Sequence, residues 1–250
     1  MTPTTPLDAA LRLAEPVGRL GGGFMLDPEV LGAGKAAGYP NGFVYYVIGR
    51  GGVLGDVAAD VVSSAFGFFA PSLVATMWSG GIEPARAGAD RYTEGCQQWG
   101  RSRLSGFDGA TRLADLLARV IDAADASGLS LFAGWRAQAR PNDDVARCYQ
   151  LVHVLRELRG CVHLIAVLAT GLTPLEAIIA NPNGGAAAAV RFGWNGEMPV
   201  ARPDDFARAE ELTNQLMARH LGILDSADLD DLVRLATEAN ERAFRPERPS

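Results

Sequence analysis

Apolar positions along this chain recur mainly at helical spacing. Between residues 142 and 170, six of them are separated by gaps of 4, 3, 4, 3 and 4 residues: Leu151, Leu155, Leu158, Val162, Ile165 and Ala169. These gaps place all six side chains on one stripe of an α-helix. The pattern predicts one long helix over this range, ended by Gly171, because glycine is the common residue just past a helix C-terminus.

Capping residues mark where other helices begin. Asp27 before Pro28 is typical of an N-cap followed by the first helical position. Thr173, Pro174 and Glu176 form a pattern close to a capping box. Amphipathic or alanine-rich segments predict further helices over 5–20, 56–66, 71–78, 83–103, 109–126, 203–221 and 226–244.

Strand signals are scarce. Residues 43–48 (FVYYVI) are the one β-rich run, whereas a parallel α/β domain needs several runs that alternate with helices. The sequence therefore predicts an all-α fold, a bundle-like arrangement of many helices. We expect one domain over 1–250, with 1–105 and 106–250 as helical halves around a central buried helix.

A glycine-rich stretch follows the β-rich run. Residues 49–55 read GxGxxxG and not the GxGxxG fingerprint of dinucleotide-binding folds, and no acidic residue lies at 69–80 to bind a ribose. We interpret the stretch as a break between a helix over 41–48 and a helix capped by Asp56, with the glycines serving the turn and close helix packing. Arg50 in this break is either solvated or directed at a carboxylate, a carbonyl or an anionic ligand.

The segment around His163 carries the most chemical information. From residue 161 onward the predicted helix is apolar on every side, which indicates burial all round and places His163 inside the protein. A buried histidine is either a hydrogen-bonded core residue or an acid–base group at the floor of a pocket. Arg159 could anchor a carboxylate, sulfate or phosphate. Gly160 lowers helix propensity, which suggests close packing or close approach of a ligand.

Composition narrows the function classes. The formal net charge of −6 argues against a nucleic-acid binder, which usually carries a basic face. The three cysteines form no CxxC pair, and His153 lies about 15 Å from His163 along a helix, so we predict no metal site. No signal peptide and no apolar run of spanning length is visible in the sequence, and we expect a cytoplasmic protein without membrane contact.

Two long stretches, 25–74 and 158–179, together with the FGW motif at 192–194, resemble an actinobacterial family of helix-turn-helix proteins of unknown function. The similarity covers roughly residues 15–240. The positions that match the family pattern are Pro28, Glu29, Arg50, Leu54, Gly55, Phe66, Phe69, Pro71, Arg159, Gly160, His163, Gly171 and Leu172. The resemblance implies that the glycine-rich stretch belongs to a helical segment and not to a dinucleotide fold.

The chain also departs from the family pattern. Family members often carry histidine near Gly18 and at Ala70 and Leu158, and aspartate at Cys161, so the polar pocket is rebuilt here. Members usually continue from the Gly-Trp turn into a winged helix-turn-helix-like segment, which is shortened in this chain. From this departure we predict a divergent family member, and we do not expect it to bind nucleic acid.

These observations lead to a first hypothesis of a cofactor-independent cyclase or lyase of actinobacterial specialised metabolism, acting on an anionic substrate. His163 would be catalytic and Arg50 and Arg159 would bind the anion. The substrate-binding walls would come from aromatic residues: Tyr45, Tyr46, Phe69 and Trp194. The alternatives are a ligand-responsive transcriptional regulator and a non-catalytic accessory or partner protein. We expect a homo-oligomer or a pairing with a paralogous chain.

Overall fold

The fold is built from helices alone. A computed structural model describes residues 3–245, and within this range the chain forms thirteen α-helices and no strand, which confirms the predicted all-α class. The helices are α1 (Pro6–Gly22), α2 (Pro28–Ala36), α3 (Gly42–Gly51), α4 (Ala59–Phe66), α5 (Pro71–Trp78), α6 (Ala85–Arg103), α7 (Ala110–Ala123), α8 (Ser130–Arg136), α9 (Asp144–Ala169), α10 (Pro174–Ala180), α11 (Ala186–Arg191), α12 (Pro203–Leu221) and α13 (Ser226–Ala243).

Side-chain caps explain several of these boundaries. The Asp27 carboxylate accepts a hydrogen bond from the backbone N–H of Glu29, and Pro28 occupies the first position of α2. Thr173 and Glu176 form a complete capping box at the start of α10. Both N-termini were predicted from sequence. Each cap satisfies backbone N–H groups that have no partner within the helix.

Helix α9 lies at the centre of the core. It packs against α1, α6, α7, α8 and α12, and its N-terminal two thirds are buried. Leu151, Leu155, Leu158 and Val162 of the predicted stripe are buried in the main hydrophobic cluster. The long helix is thus confirmed, and it carries four of the polar side chains discussed below: His153, Arg156, Glu157 and His163.

The β-rich run and the glycines after it belong to helical structure. Residues 43–48 lie in α3, and a short 3₁₀ helix follows over 52–54. A Cβ atom at Gly49 would come within 2.3 Å of the Tyr92 ring, and one at Gly52 within 2.0 Å of the Ala85 carbonyl oxygen. The glycines therefore allow α3 to approach α6 closely, which agrees with the predicted packing role. The predicted end of the helix at residue 48 is wrong, because α3 continues to residue 51 and brings its glycines into the contact with α6.

Asp56 does not begin the helix that follows it. Helix α4 starts at Ala59, and the Asp56 carboxylate accepts a hydrogen bond of 2.7 Å from the backbone N–H of Ala85. It therefore caps α6, across a gap of 29 residues in sequence. The prediction was wrong because a capping side chain can serve any N-terminus that the fold brings near it.

The last third of α9 differs from the sequence expectation of burial on every side. The side chains of Ile165 and Leu168 are 42% and 57% exposed, and His163 is only partly buried. Here α9 leaves the main core and packs on one side against a smaller cluster that includes Val167, Leu172 and Phe206. One face of the segment therefore remains open.

No single helix in residues 3–245 is both long enough and apolar enough to cross a membrane. Helices α9 and α10 pass that test of length and composition only when taken together, and they meet at a bend of 98°.

Candidate functional site

A cavity of about 780 Å³ lies beside the C-terminal half of α9. Arg156, Gly160, His163 and Leu164 of α9 line it, and their spacing of three and four residues places them on one face of the helix. The volume is within the range of small-molecule sites, which is about 300–1,000 Å³. The cavity is therefore large enough for a metabolite-sized ligand.

Aromatic rings form much of the cavity wall. The ring centroids of Phe69 and Phe192 are 4.7 Å apart, and the His163 ring stacks on Phe68 at 5.5 Å. Phe66 contributes a further ring, over which the Arg50 guanidinium lies at 4.6 Å. The wall is thus mostly apolar, with a few charged groups at defined places.

Arg50 points inward. Its Nε and Nη2 atoms donate to the two carboxylate oxygens of Glu157, each at 3.0 Å, and its Nη1 donates to the Tyr46 hydroxyl at 3.2 Å. The sequence left open whether Arg50 is solvated or directed at a carboxylate, a carbonyl or an anionic ligand. In the structure its partner is the Glu157 carboxylate. Paired, fork-like contacts of this kind are among the stronger hydrogen bonds in proteins.

Glu157 is shared between two arginines. Arg156 Nη1 also donates to its Oε1 atom, at 2.7 Å. Burial alone would raise the pKa of Glu157, but Arg50 and Arg156, with His153 nearby, outweigh burial and hold that pKa well below its usual value. One carboxylate thus faces two guanidinium groups, which leaves one positive charge at the cavity wall.

His153 completes this buried network. Its Nδ1–H donates to the Gly21 carbonyl at 2.9 Å, and its Nε2 lies 3.8 Å from Glu157 Oε1 without a hydrogen-bond partner in the part of the chain described. Burial lowers the pKa of His153 to about 4, despite the attraction of Glu157. The imidazole is therefore neutral at pH 7 and adds no charge to the network.

His163 lines the cavity and is held by α12. Its Nδ1 lies 3.0 Å from Thr213 Oγ1 and 3.4 Å from Glu210 Oε1. Because the Thr213 hydroxyl donates to the Ala209 carbonyl, its oxygen accepts a hydrogen bond from His163 Nδ1–H. Burial lowers the pKa of His163, with Glu210 opposing the shift.

The structure gathers only some of the sequence-predicted site residues. His163, Arg50, Tyr46 and Phe69 line the cavity. Arg159 does not, because its guanidinium turns to Glu210 at 3.1 Å and Asn214 at 3.2 Å, both on α12.

Two aromatic candidates also lie away from the cavity. Tyr45 packs between Tyr39 and Tyr92 in the main core. The Trp194 indole N–H donates to the Phe68 carbonyl at 2.8 Å, so this ring supports the cavity wall from behind.

Sequence reasoning missed Glu157 and did not assign Arg156 to the site. A charged residue among the buried positions 151–158 is a usable signal for Glu157, because buried carboxylates need a partner. For Arg156 the signal is its i, i+4 relation to Gly160.

Two short helix pairs form the opposite side of the cavity. Helices α4 and α5 pack together across the turn 67–70, in which Gly67 has φ of +64°. Helices α10 and α11 pack together across 181–185, in which Gly185 has φ of +81°. Glycines with positive φ allow such tight turns.

The two pairs are tied to each other. The backbone N–H of Ala70 donates to the Phe192 carbonyl at 2.8 Å, beside the Trp194 bond already described. Both pairs place residues in the cavity wall, among them Phe69 from the first turn and Asn181 from the second. The cavity is therefore bounded by both pairs.

No group of three or more histidine, cysteine, aspartate or glutamate side chains within residues 3–245 is arranged to hold a metal ion.

Comparison with known proteins decides the family. A family model described as a helix-turn-helix family matches residues 10–204, well over half of the chain. The chain belongs to this helix-turn-helix family. No curated protein matches the chain, and no solved structure matches it either. The match covers the cavity-lining part of α9 and both short helix pairs.

Membership of the helix-turn-helix family overturns the first functional hypothesis. A cofactor-independent cyclase or lyase is not what such a family suggests, and the match gives no support to a role in specialised metabolism. The family favours the regulator alternative and a nucleic-acid partner, which the net charge and the shortened winged segment had argued against.

Proposed function

We propose that this protein is a transcriptional regulator that binds DNA through a helix-turn-helix pair and responds to a small molecule in the cavity. The supporting observation is the family match over residues 10–204, which includes both short helix pairs. Helix-turn-helix proteins place the second helix of the pair in the major groove of DNA.

The pair α4–α5 is our candidate for the DNA-binding unit. Its turn, 67–70, has four residues and contains Gly67, as is typical of helix-turn-helix motifs. The second helix, α5, exposes Ser72 and Thr76 on one face, and hydroxyl groups of this kind contact phosphates and base edges.

The position of the cavity supports a ligand response. Phe66, Phe68 and Phe69 lie at the end of α4 and in its turn, and all three line the cavity. A ligand that prefers one position of these rings would shift the population of DNA-binding conformers, because it stabilises the state to which it binds more tightly. His163, Tyr46 and Phe69 act in this proposal as ligand contacts, and Arg50 supports the cavity wall through its pair with Glu157.

A second candidate is the non-catalytic partner protein. The observation in its favour is electrostatic, since the net charge is −6 and many arginines on the described surface, such as Arg112, Arg147 and Arg234, are neutralised by aspartates. DNA binding would then have to rely on few free cations.

A matched pair of charge variants tests the DNA-binding assignment. Ser72 and Ser226 are both exposed and lie in the first turns of α5 and α13, where a glutamate is compatible with the helix dipole. We expect Ser72→Glu to weaken binding to a sequence selected from random duplexes by about tenfold or more, through repulsion from phosphate. Ser226→Glu should leave the affinity unchanged.

The measurement is fluorescence anisotropy of the selected duplex, with salt raised from about 50 to 200 mM, over which specific DNA binding weakens steeply. If selection enriches no sequence, and the protein retains no duplex at the lowest salt, the regulator proposal is wrong and the partner-protein candidate takes its place. Equal losses in both serine variants would remove α5 as the contact helix.

A further inference from the structure

Within residues 3–245, the buried network beside the cavity holds one more guanidinium group than carboxylates. Both oxygens of Glu157 are occupied by Arg50 at 3.0 Å, and Arg156 shares only Oε1. His153 is neutral, so the network has two guanidinium groups for one carboxylate. An excess positive charge in a partly buried network favours an anionic partner, since desolvation raises the cost of leaving that charge unbalanced.

Arg156 is the member of this network that a ligand can reach. Its side chain is 29% exposed, whereas those of Arg50 and Glu157 are almost fully buried. It lines the cavity next to the glycine-rich end of α1, where a Cβ atom at Gly21 would come within 2.7 Å of Arg156 Cβ. The missing side chain at Gly21 thus leaves room for the aliphatic part of Arg156.

The nearest acid is already engaged. Asp27, which also lines the cavity, caps α2 and accepts a hydrogen bond from the Trp99 indole at 3.0 Å. Arg103 lies 3.8 Å from the same carboxylate. Asp27 therefore cannot serve as the counterion of Arg156. Arg191 lies at the cavity edge and is exposed to solvent.

The remainder of the wall suits an apolar body. One turn along α9 from Arg156, Gly160 lines the cavity, and a Cβ atom there would meet no protein atom within 4 Å. The rings of Phe68, Phe69 and Phe192 surround the adjacent space. Flat or apolar groups would bury their surface here.

We infer that the cavity takes a ligand with one anionic group, a carboxylate or sulfonate bound by Arg156, on an aromatic body that lies over Gly160 between the phenylalanine rings. The inference rests on the ligand-binding half of the proposed function and is independent of DNA binding. It places the anion at Arg156 and not at Arg159, three residues away on the same helix.

Two fluorescent probes with the same ring system test this inference. 8-Anilino-1-naphthalenesulfonate carries one sulfonate, and N-phenyl-1-naphthylamine carries none. We expect the folded protein to bind one molecule of the sulfonate per chain, more tightly than the neutral probe. Arg156→Gln should weaken sulfonate binding by about tenfold or more and change neutral-probe binding less than about twofold, because only a charge-assisted hydrogen bond is lost.

Three further variants complete the design. Arg159→Gln is the matched control and should leave both affinities unchanged. Arg156→Lys keeps the charge and should retain most of the sulfonate preference, which guards against misfolding of Arg156→Gln. Gly160→Leu places a side chain in the space proposed for the aromatic body and should weaken binding of both probes. Near-ultraviolet circular dichroism verifies folding, since loosely packed states also bind such dyes.

Equal affinities of the two probes for the unaltered protein, or an Arg156→Gln variant that binds the sulfonate as tightly as the unaltered protein, would overturn the inference. Loss of sulfonate binding in Arg159→Gln alone would also overturn it and move the anion site. Because no DNA is present, each of these results is separate from a failure of the regulator proposal.

Discussion

At the residue scale, Glu157 holds the buried charges of the cavity wall together. Replacing it with glutamine leaves Arg50 buried without a counterion, and removing one partner of a buried pair typically costs about 3–5 kcal/mol. We expect Glu157→Gln to lower the free energy of unfolding by that amount in urea denaturation. Glu15→Gln, at an exposed position of α1, should change it by less than about 0.5 kcal/mol. Similar values for both variants would show that the network does not stabilise the fold.

The lowered pKa of His153 should make the folded protein less stable in acid. Its folded-state pKa of about 4 lies below the ordinary 6.5, so the unfolded chain binds the proton first as the pH falls. Above pH 6.5, His153 contributes its full share of the free energy of unfolding, about 3 kcal/mol. This contribution is lost progressively as the pH falls toward 4.

The measurement is the free energy of unfolding at a series of pH values between 7 and 4. We expect His153→Gln to flatten this dependence, whatever its stability at pH 7. His220→Gln, at a half-buried histidine whose pKa burial also lowers, should flatten it less. An unchanged slope in His153→Gln would contradict the buried, neutral assignment.

Sequence reasoning reached some of these residues and not others. The buried histidine and the inward arginine were recognisable as types, but the partner of Arg50 lies 107 positions away, and no local pattern connects them. Tyr45 and Tyr46 are neighbours in sequence, yet successive helical side chains diverge by roughly 100°, so that only Tyr46 reaches the cavity. Which of two adjacent residues faces a site depends on which side of the helix the core covers.

At the element scale, alanine substitutions at two helical glycines should change the free energy of unfolding in opposite directions. A Cβ atom at Gly160 meets open space, so Gly160→Ala should raise the free energy of unfolding by about 0.5–1 kcal/mol, through better helix propensity. A Cβ atom at Gly21 would lie 2.7 Å from Arg156 Cβ and 3.0 Å from the Val152 carbonyl oxygen. Gly21→Ala should therefore destabilise the protein.

Thermal and urea denaturation of the two alanine variants provide the measurement. A destabilised Gly160→Ala would indicate that this glycine serves packing and not the open floor of the cavity. The same comparison separates the two reasons that sequence alone allowed for a glycine in the middle of a helix.

Helix boundaries were predictable wherever the signal was local. The caps at Asp27 and Thr173 and the long apolar stripe of α9 identified their helices correctly. Helix α8 (Ser130–Arg136) was missed, since it is short and lacks a side-chain cap. Asp56 was misassigned because its partner belongs to α6, and the end of α9 was expected to be buried because composition does not show where the neighbouring helices stop.

At the scale of the whole molecule, one cavity lies against two helix pairs that are bonded to each other. The Ala70–Phe192 and Phe68–Trp194 hydrogen bonds link the pairs, and both pairs contribute to the cavity wall. Occupancy of the cavity and the position of α5 should therefore depend on each other. Couplings between sites in proteins are typically about 5- to 150-fold in affinity.

The most direct test of this account is the affinity of a selected DNA duplex for the unaltered protein and for Gly160→Leu, measured by fluorescence anisotropy at one salt concentration. A Cβ atom at position 160 meets no protein atom within 4 Å, so the leucine projects into the cavity and stands in for part of a bound ligand. We expect the unaltered protein to bind the duplex and Gly160→Leu to change the affinity by about fivefold or more in either direction. Identical affinities in two folded proteins would contradict the coupling, and an unaltered protein that binds no duplex would contradict the regulator proposal itself.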